Sequence, residues 1–248
     1  MAVSFASYQI AVSGMRVNQH SLNVTGHNLS NVNTTGYVRQ QAMITSSHFQ
    51  TVNARYGIQQ FGLGADIQEV RQIRHMFLDN MYRQENTTLG YWEARSKTFE
   101  DVQAILGEPM EEGLQNAMNE FWDSWQELSK TPDSLAVRAL VRQRGENLVH
   151  HVNHLGQQLD KLQNDINSEI KVKIGEVNNI MKGIAELNLK ILSTEVSGDR
   201  ANDLRDQRNN LLDSLTGLVD CDIQEMQDGQ VDILVSGYFL VTKGTYKT

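Results

Sequence analysis

Three closely spaced histidines are the best candidates for metal chemistry in this chain. His150 and His154 lie four residues apart, so in a helix both imidazoles are on one face and can reach a single ion. His151 lies between them, but no cysteine or further ligand is close, and the glutamate of an HExxH motif is missing. Solvated helix histidines are therefore the simpler interpretation, and no metal ligand is assigned. A metal-binding helical enzyme using His150 and His154 stays open as a remote alternative.

Other reactive side chains lack the partners that catalysis needs. Cys221 has no recognisable partner histidine and lies in a strand-like pattern, which favours a packed thiol over a nucleophile. Glu111 and Glu112 are adjacent and face different sides of a helix, unlike a paired acid and base. Trp122 and Trp125 are three residues apart and are most simply packing residues. We therefore predict a protein that is not an enzyme, with no catalytic residue and no cofactor.

The composition favours long helices and excludes several protein classes. The 248 residues include 40% apolar residues, only two prolines and 7% aromatics, which suits uninterrupted helices better than a β-rich fold. A single cysteine excludes an internal disulfide framework. No apolar run reaches about 18 residues, so we expect no membrane partner. The amino end lacks a basic region followed by an apolar one, so we expect no cleaved signal peptide.

Charge is distributed unevenly along the chain. Residues 1–65 contain three arginines and no acidic residue, so the net charge of −8 divides into +3 for this segment and −11 for the remainder. A segment without carboxylates can pack against copies of itself without desolvating unpaired charges. The acidic remainder argues against a nucleic-acid partner, because phosphate binding needs a basic surface.

The first element is an amphipathic helix predicted over residues 4–31, within a segment of residues 1–33. Its apolar residues recur at helical spacing and form a stripe that needs a partner helix. We predict that these side chains are subunit-packing contacts: Phe5, Tyr8, Val12, Met15, Leu22 and Leu29. A helix so rich in asparagine, serine and valine is marginal in water, so we expect residues 1–33 to be disordered in an isolated monomer.

A cluster of polar residues and glycine ends this helix and begins a loop and β connector over residues 34–73. Asparagine and threonine side chains compete with the helical backbone, and Gly36 permits a positive φ. We predict that this connector motif sets the bend of the chain, and its residues are Asn28, Asn31, Asn33, Thr34, Gly36, Tyr37, Arg39 and Gln40.

A helical rod domain follows over residues 74–219. Heptad spacing predicts helices over 74–107 and 111–130. Thr131-Pro132 predicts the N-cap and first residue of a third helix, which ends near 194. A fourth helix opens at 201–208, and its predicted inward residues are Leu204, Leu211, Leu215 and Leu218. Its interleaved acidic and basic residues can pair at i,i+3 and i,i+4 within the helix.

The last segment, residues 220–248, is predicted to form a small β-meander. Asp228-Gly229 is a hairpin signal between alternating apolar residues. A small sheet with an open edge is unusual at a natural terminus, so we expect a truncated chain. The fold class is therefore mainly α: a long coiled-coil rod, an N-terminal amphipathic helix, a short β connector and a C-terminal β-meander.

Two stretches of this sequence resemble the bacterial flagellar axial proteins, and within them the hook-associated proteins of the hook–filament junction. The first match consists of Asn28-Leu29-Ser30-Asn31, Asn33-Thr34, Gly36-Tyr37 and Arg39-Gln40. The second consists of Ala201-Asn202-Asp203-Leu204-Arg205-Asp206-Gln207-Arg208 and Leu211-Leu212-Asp213. The two stretches are well separated in the chain, so the resemblance spans most of it.

The resemblance implies a structural subunit of the flagellum that joins hook to filament and assembles through its N-terminal helix. Implied partners are copies of itself in a helical array, the hook protein, the next hook-associated protein and the flagellar export machinery. The implied location is extracellular, at the hook, after type III export with an uncleaved N-terminus. Another axial protein, of the hook or the distal rod, is the alternative that stays open.

Overall fold

A computed structural model describes residues 2–54, 57–107 and 113–247, without the side chains of 2–6, 52–54 and 59. The described residues form five helices, and the first two are separated by a β connector. The helices are α1 Ala2–Ser30, α2 Met76–Leu106, α3 Leu114–Lys130, α4 Leu135–Glu195 and α5 Asn202–Thr216. The mainly α fold class is confirmed, and α4 alone spans 61 residues, about 90 Å at the usual rise.

Eight strands make up the β structure of the described residues. The first four are β1 Gln40–Ser46, β2 Phe49–Ala54, β3 Gly57–Gly62 and β4 Ala65–Gln72, and the last four are β5 Asp222–Glu225, β6 Val231–Val235, β7 Tyr238–Thr242 and β8 Thr245–Tyr246. β1 pairs antiparallel with β4, and β2 with β3, so the connector is a two-stranded ribbon. β5 to β8 form an antiparallel meander in chain order.

Helix ends follow local chemistry, with one correction. α2 ends at Leu106, and the next residue, Gly107, takes a φ of +67°. The predicted N-cap at Thr131 is wrong, because Thr131 closes α3 and donates its backbone N–H to the Glu127 carbonyl at 3.2 Å. α4 starts at Leu135, and the carbonyl of Ser134 accepts the first helical bond from Arg138 at 3.2 Å. Pro132 therefore lies in the turn between the two helices.

The chain divides into two compact units, Met1–Thr87 with Val177–Thr248 and Thr88–Glu176. The core of the first unit lies where the end of α4, α5 and the meander meet. Its fully buried apolar side chains are Ile184, Ile191, Leu212, Leu215, Ile233 and Val241. In the second unit Val141 and Leu155 of α4 are buried, and Lys97 of α2 pairs with Glu169 of α4 at 3.0 Å.

α5 presents a different face to the core than its leucine spacing predicted. Leu215 is fully buried as expected, but Leu212 takes the second core position, and Leu204, Leu211 and Leu218 are only half-buried. The reason is that α5 buries polar residues as well: Asp206 is 5% and Arg208 2% exposed. A leucine-only pattern could not predict a face that includes buried charges.

Candidate assembly surface and connector

α1 has one face against the ribbon and an opposite apolar face that is open. On the inner face Val17 is buried, and the Ser13 Oγ accepts a hydrogen bond from the Ala65 N–H of β4 at 3.3 Å. Four predicted packing residues are 68–73% exposed, and we call them the outer stripe: Tyr8, Met15, Leu22 and Leu29. Met15, Leu22 and Leu29 lie on the open face, whereas Tyr8 lies at its edge and also lines the groove between α1 and the ribbon.

The remaining two predicted packing residues differ from the outer stripe. Val12 is half-buried and lines a groove of about 660 Å³ between α1 and the ribbon, together with Val17 and Leu63. The side chain of Phe5 lies outside the described residues. The sequence pattern therefore combined two faces of α1, since a heptad rule does not separate residues that face the ribbon from those on the open side.

Asn28 joins the end of α1 to the start of β1 through both groups of its side-chain amide. Its Oδ1 accepts from the Gln40 N–H at 2.8 Å and from the Tyr37 hydroxyl at 2.7 Å, while its Nδ2 donates to the Gln40 carbonyl at 2.9 Å. The amide thus pairs with Gln40 as a neighbouring strand would. This bidentate contact fixes the direction in which the chain leaves the helix.

Further members of the connector motif close the turn between α1 and β1. The Asn31 Nδ2 donates to the His27 carbonyl at 3.0 Å, and the Thr34 hydroxyl donates to the Asn31 Oδ1 at 3.2 Å. Gly36 has a φ of +75°, which a residue with a side chain rarely adopts. Asn33 and Arg39 are exposed, and neither side chain hydrogen-bonds to another described residue.

The second matched stretch lies directly against the first. The Asp206 carboxylate of α5 accepts from the Val38 N–H at 3.1 Å and from the Gln72 Nε2 at 2.7 Å. The Asp203 Oδ1 accepts from the Gln40 Nε2 at 2.8 Å. Two stretches that are far apart in sequence are therefore one structural junction, which motif matching alone did not show.

Asn210 completes this junction at the glycine of the connector motif. Its Nδ2 donates to the Thr35 carbonyl at 3.2 Å. A Cβ placed on Gly36 would lie 1.7 Å from the Asn210 Oδ1, so α5 leaves no room for a side chain there. Gly36 is therefore required both by its backbone conformation and by the approach of α5.

The charged residues of 201–208 pair with other elements rather than within α5. Arg205 binds Glu195 at the end of α4 through two bonds of 2.7 and 2.8 Å, and donates to Glu225 of β5 at 2.7 Å. These bonds lower the pKa of the Glu195 carboxyl. The predicted intrahelical pairs of this stretch are thus wrong, because α5 is enclosed by neighbours that offer partners at better geometry.

A buried polar network that sequence reasoning missed lies between α4, α5 and β6. Asn188 is fully buried, accepts from the Val231 N–H at 3.1 Å and donates to the Val231 carbonyl at 2.8 Å. Its Oδ1 also accepts from the Arg208 Nη1 at 3.0 Å, and the same nitrogen donates to the Gly229 carbonyl at 2.6 Å. Burial lowers the pKa of the Arg208 guanidinium to about 10.

Burial also shifts the acid at the junction. The pKa of Asp206 is raised to about 6 by desolvation, although the Val38 N–H, Arg74 and Gln72 all favour the carboxylate. The pKa of the Tyr37 phenol is raised as well, by burial and then by the charges of Asp203 and Asp206. The junction is therefore electrostatically sensitive, because both of these acidic groups hold their protons more tightly than in water.

The candidate metal and nucleophile residues have ordinary surroundings. His150 and His154 are exposed, and the His154 Nε2 lies 2.9 Å from the Gln158 amide. Within 2–54, 57–107 and 113–247, no group of three metal-ligating side chains comes together. Burial raises the pKa of the Cys221 thiol to about 11, which disfavours a thiolate.

Two tryptophans of α3 lie at the surface. Trp122 and Trp125 are 66% and 50% exposed, so neither is the core residue that its spacing predicted. Glu111 and Glu112 lie outside the described residues.

None of the described helices combines the length and the apolar character needed to cross a bilayer.

Comparison with known families places the first matched stretch in the axial class of flagellar proteins. A family model described as flagella basal body rod protein matches residues 9–37, which cover most of α1 and the turn of the connector motif. A second model, described as the flagellar hook-associated protein FlgK helical domain, matches residues 99–248. The chain belongs to the flagellar hook-associated protein FlgK family.

Individual relatives agree with this assignment. Flagellar hook-associated protein 1 of Bacillus subtilis is 30% identical over 92% of this chain, and that of Escherichia coli is 27% identical over 95%. These alignments cover 46% and 43% of the relatives, so the chain spans a little under half of their length. The solved structure of the flagellar hook junction protein FlgK from Burkholderia pseudomallei matches the fold with a TM-score of 0.56 at 21% identity, over 68% of this chain and 29% of that one.

Proposed function

We propose that this chain is a structural, non-enzymatic subunit that joins the flagellar hook to the filament. Its partners are copies of itself in a helical array, the hook protein and the next hook-associated protein. It acts outside the cell, after export through the flagellar type III channel with an uncleaved N-terminus. The family assignment supports the general role, and the geometry of α1 supports the mechanism of assembly.

The observation that carries the proposal is the outer stripe. Its four large apolar side chains are all more than two-thirds exposed, and Met15, Leu22 and Leu29 lie on the side of α1 that faces away from the ribbon. Such a contiguous apolar stripe on a helix is typical of an interaction surface rather than of a free monomer. Burying each of these side chains against a neighbour contributes about 1.5–3 kcal/mol, so several neighbours together favour assembly.

The connector motif gives this helix a defined direction. The contacts of Asn28, Gly36 and Tyr37 with the ribbon and with α5 hold the end of α1 against the rest of the first unit. Since a helical array repeats one geometry at every subunit, the angle between α1 and the ribbon must be the same in every copy. We propose that the connector motif sets that angle.

A substitution in the outer stripe tests the proposal. Leu22→Asp places a charge at the proposed contact, where desolvation is costly, so we expect it to abolish incorporation into flagella and motility. Val196→Asp is the matched control, because Val196 is 81% exposed and lies outside the stripe. Both proteins should unfold at the wild-type temperature. Normal motility of cells that carry only the Leu22→Asp protein would contradict the proposal.

A hook or distal-rod protein is the second candidate. The match of residues 9–37 to a basal body rod family supports it, since that segment is shared among axial proteins. The match of residues 99–248 to the hook-associated helical domain favours the junction instead. Immunogold labelling of purified hook–basal bodies distinguishes the two, because a junction protein labels only the distal end of the hook.

A further inference from the structure

A cavity of about 240 Å³ lies within the first unit, where the end of β4 and the starts of α2 and α5 meet β5 and β6. Of the described residues in its wall, two are acids, Asp79 and Glu225. Five others are arginines, from residues 74–83 and 200–208: Arg74, Arg83, Arg200, Arg205 and Arg208. The cavity therefore concentrates positive charge in a chain whose net charge is −8.

Acids outside the cavity hold several of these arginines in place. The Arg83 Nε donates to Asp213 at 2.8 Å, and the Arg200 Nε lies 2.9 Å from a carboxylate oxygen of Glu69. A guanidinium carries five N–H donors, and a pair of this kind uses only some of them. These contacts therefore position the guanidinium groups and leave them able to donate to a further acceptor.

Arg208 is the arginine of this group whose charge is compensated least. Its Nη1 donates to two neutral oxygens, those of Asn188 and Gly229. A carboxylate oxygen of Glu225 lies 3.5 Å from its Nη2, but the same oxygen accepts a shorter bond of 2.7 Å from Arg205. Its Nε–H has no hydrogen-bond partner among the described residues, although Arg208 is only 2% exposed. A buried donor without an acceptor is costly, so this N–H indicates a site for an acceptor.

The unpaired N–H lies on the edge of the guanidinium that binds oxyanions. The Nε–H and one Nη2–H of an arginine point the same way, and this fork matches two oxygens of a carboxylate, phosphate or sulfate. In Arg208 both short bonds are made by Nη1, so the fork has only the 3.5 Å contact with Glu225. Burial lowers the pKa of Arg208 although Glu225 and Glu195 favour its charged form, so a further negative charge stabilises this cation.

We propose that this cavity binds one inorganic oxyanion of the phosphate or sulfate type, with the Nε–Nη2 edge of Arg208 as its most buried contact. The arginines belong to two different elements, so donors reach the cavity from more than one direction, which suits the tetrahedral oxygens of such an ion. Asn202, the first residue of α5, also lines the cavity, and the amino end of a helix favours an anion. The bound ion links α2 to α5 and stabilises the first unit.

Isothermal titration of the purified protein with phosphate, at an ionic strength held constant with chloride, tests the site. The wild type should bind one phosphate saturably. Arg200→Gln removes a cavity cation that is 52% exposed, so the fold should be retained and the affinity should fall about tenfold. Arg142→Gln is the matched control, because Arg142 is 82% exposed, pairs with Glu146 at 3.2 Å and lies outside the cavity.

Two results of this titration overturn the inference. One is a folded wild type without saturable phosphate binding, as expected if an acidic side chain of the protein fills the cavity instead. The other is an affinity that falls equally, or not at all, in Arg200→Gln and Arg142→Gln, since binding then depends on general charge and not on this cavity.

A second variant tests the fork of Arg208. Arg208→Lys keeps the positive charge but removes the paired N–H groups, so a folded variant should bind phosphate at least about tenfold more weakly. Unchanged affinity in a folded Arg208→Lys protein would overturn the assignment of that edge. If the variant does not fold, the comparison of Arg200→Gln with Arg142→Gln decides alone. Motility is no part of either measurement, so a negative result leaves the proposed assembly function untouched.

Discussion

The junction of α1 with β1 and the junction of α4 with β6 use the same device in different surroundings. At each one a helix asparagine pairs with both the N–H and the carbonyl of a residue that begins a strand: Asn28 with Gln40, and Asn188 with Val231. Asn28 is half-buried beside the turn of the connector motif, whereas Asn188 is fully buried and also binds Arg208.

The difference in burial decides what each contact contributes. Water can replace part of the hydrogen bonding at Asn28, so that residue mainly specifies direction. No water reaches the Asn188 site without opening the core, so its loss leaves buried groups without partners, which is far more costly than losing an exposed bond. One geometry therefore sets an angle in one region and holds a core together in the other.

The largest effect is expected for Asn188→Ala. Removing the side-chain amide leaves the N–H and the carbonyl of Val231 without partners and removes one hydrogen bond of Arg208. The free energy of unfolding should therefore fall by about 3 kcal/mol or more. Urea denaturation of the purified protein measures this loss. Asn164→Ala is the control, because Asn164 is exposed on the same helix and makes one local bond to Asp160. Equal effects of the two substitutions would contradict the comparison.

Gly36→Ala should have the next largest effect. The φ of +75° strains an alanine by about 1–2 kcal/mol, and the new methyl group displaces Asn210. We expect a loss of about 2 kcal/mol, together with faster hydrogen exchange at Val38. Adding Asn210→Ala removes the collision but leaves the backbone strain, so it should recover only part of the loss. Full recovery would show that the backbone conformation is not the limiting factor.

Asn28→Ala should cost less than its buried counterpart. Its three bonds lie at a half-buried site, so we expect a loss of about 1 kcal/mol in global stability. The larger consequence should be for assembly, because the angle of α1 is no longer fixed. Limited proteolysis between residues 30 and 40 measures the freed connector, with Asn33→Ala as the control. A stability loss as large as that of Asn188→Ala would remove the distinction between the two junctions.

These two asparagines also show how far the sequence could be interpreted. Asn28 stands out because it lies in a polar cluster that interrupts an apolar stripe, so its role at a turn was predictable. Asn188 lies within a heptad pattern where a polar residue looks like any solvated position. Asn188 is a core residue because β6, which follows 43 residues later in the chain, packs against it. No local sequence pattern encodes that contact.

The elements themselves were more predictable than their faces. The spacing of apolar residues gave the helices of the rod, and Asp228-Gly229 gave the first turn of the meander, where Gly229 has a φ of +78°. The buried charges of α5 were not predictable, because Asp206 and Arg208 look like surface residues until the connector and the meander enclose them. Tertiary partners, and not local propensity, determine which side of a short polar helix is buried.

The smallest effect concerns the acid that links the connector to α5. The pKa of Asp206 is about 6 in the folded protein against an ordinary value of 3.8, so the folded state holds the proton more tightly than the unfolded state. Its contribution to stability is therefore fully present below pH 4 and is lost as the pH rises through 6. Between pH 5 and 7 the loss should be about 1 kcal/mol.

The titration of Glu195 changes the stability with pH in the opposite direction, but in a lower pH range. Arg205 lowers its pKa, so its contribution is lost only as the pH falls below the usual range of a glutamate, outside the interval from pH 5 to 7. Asp206→Asn removes the titrating group, so the stability difference between wild type and variant should change by about 1 kcal/mol across that interval. Asp165→Asn, at an exposed position of α4, should leave the profile unchanged. If the free energy of unfolding of the wild type instead rises from pH 5 to 7 relative to that of Asp206→Asn, the prediction is contradicted. In that case the hydrogen bonds and Arg74 stabilise the Asp206 carboxylate by more than its burial destabilises it.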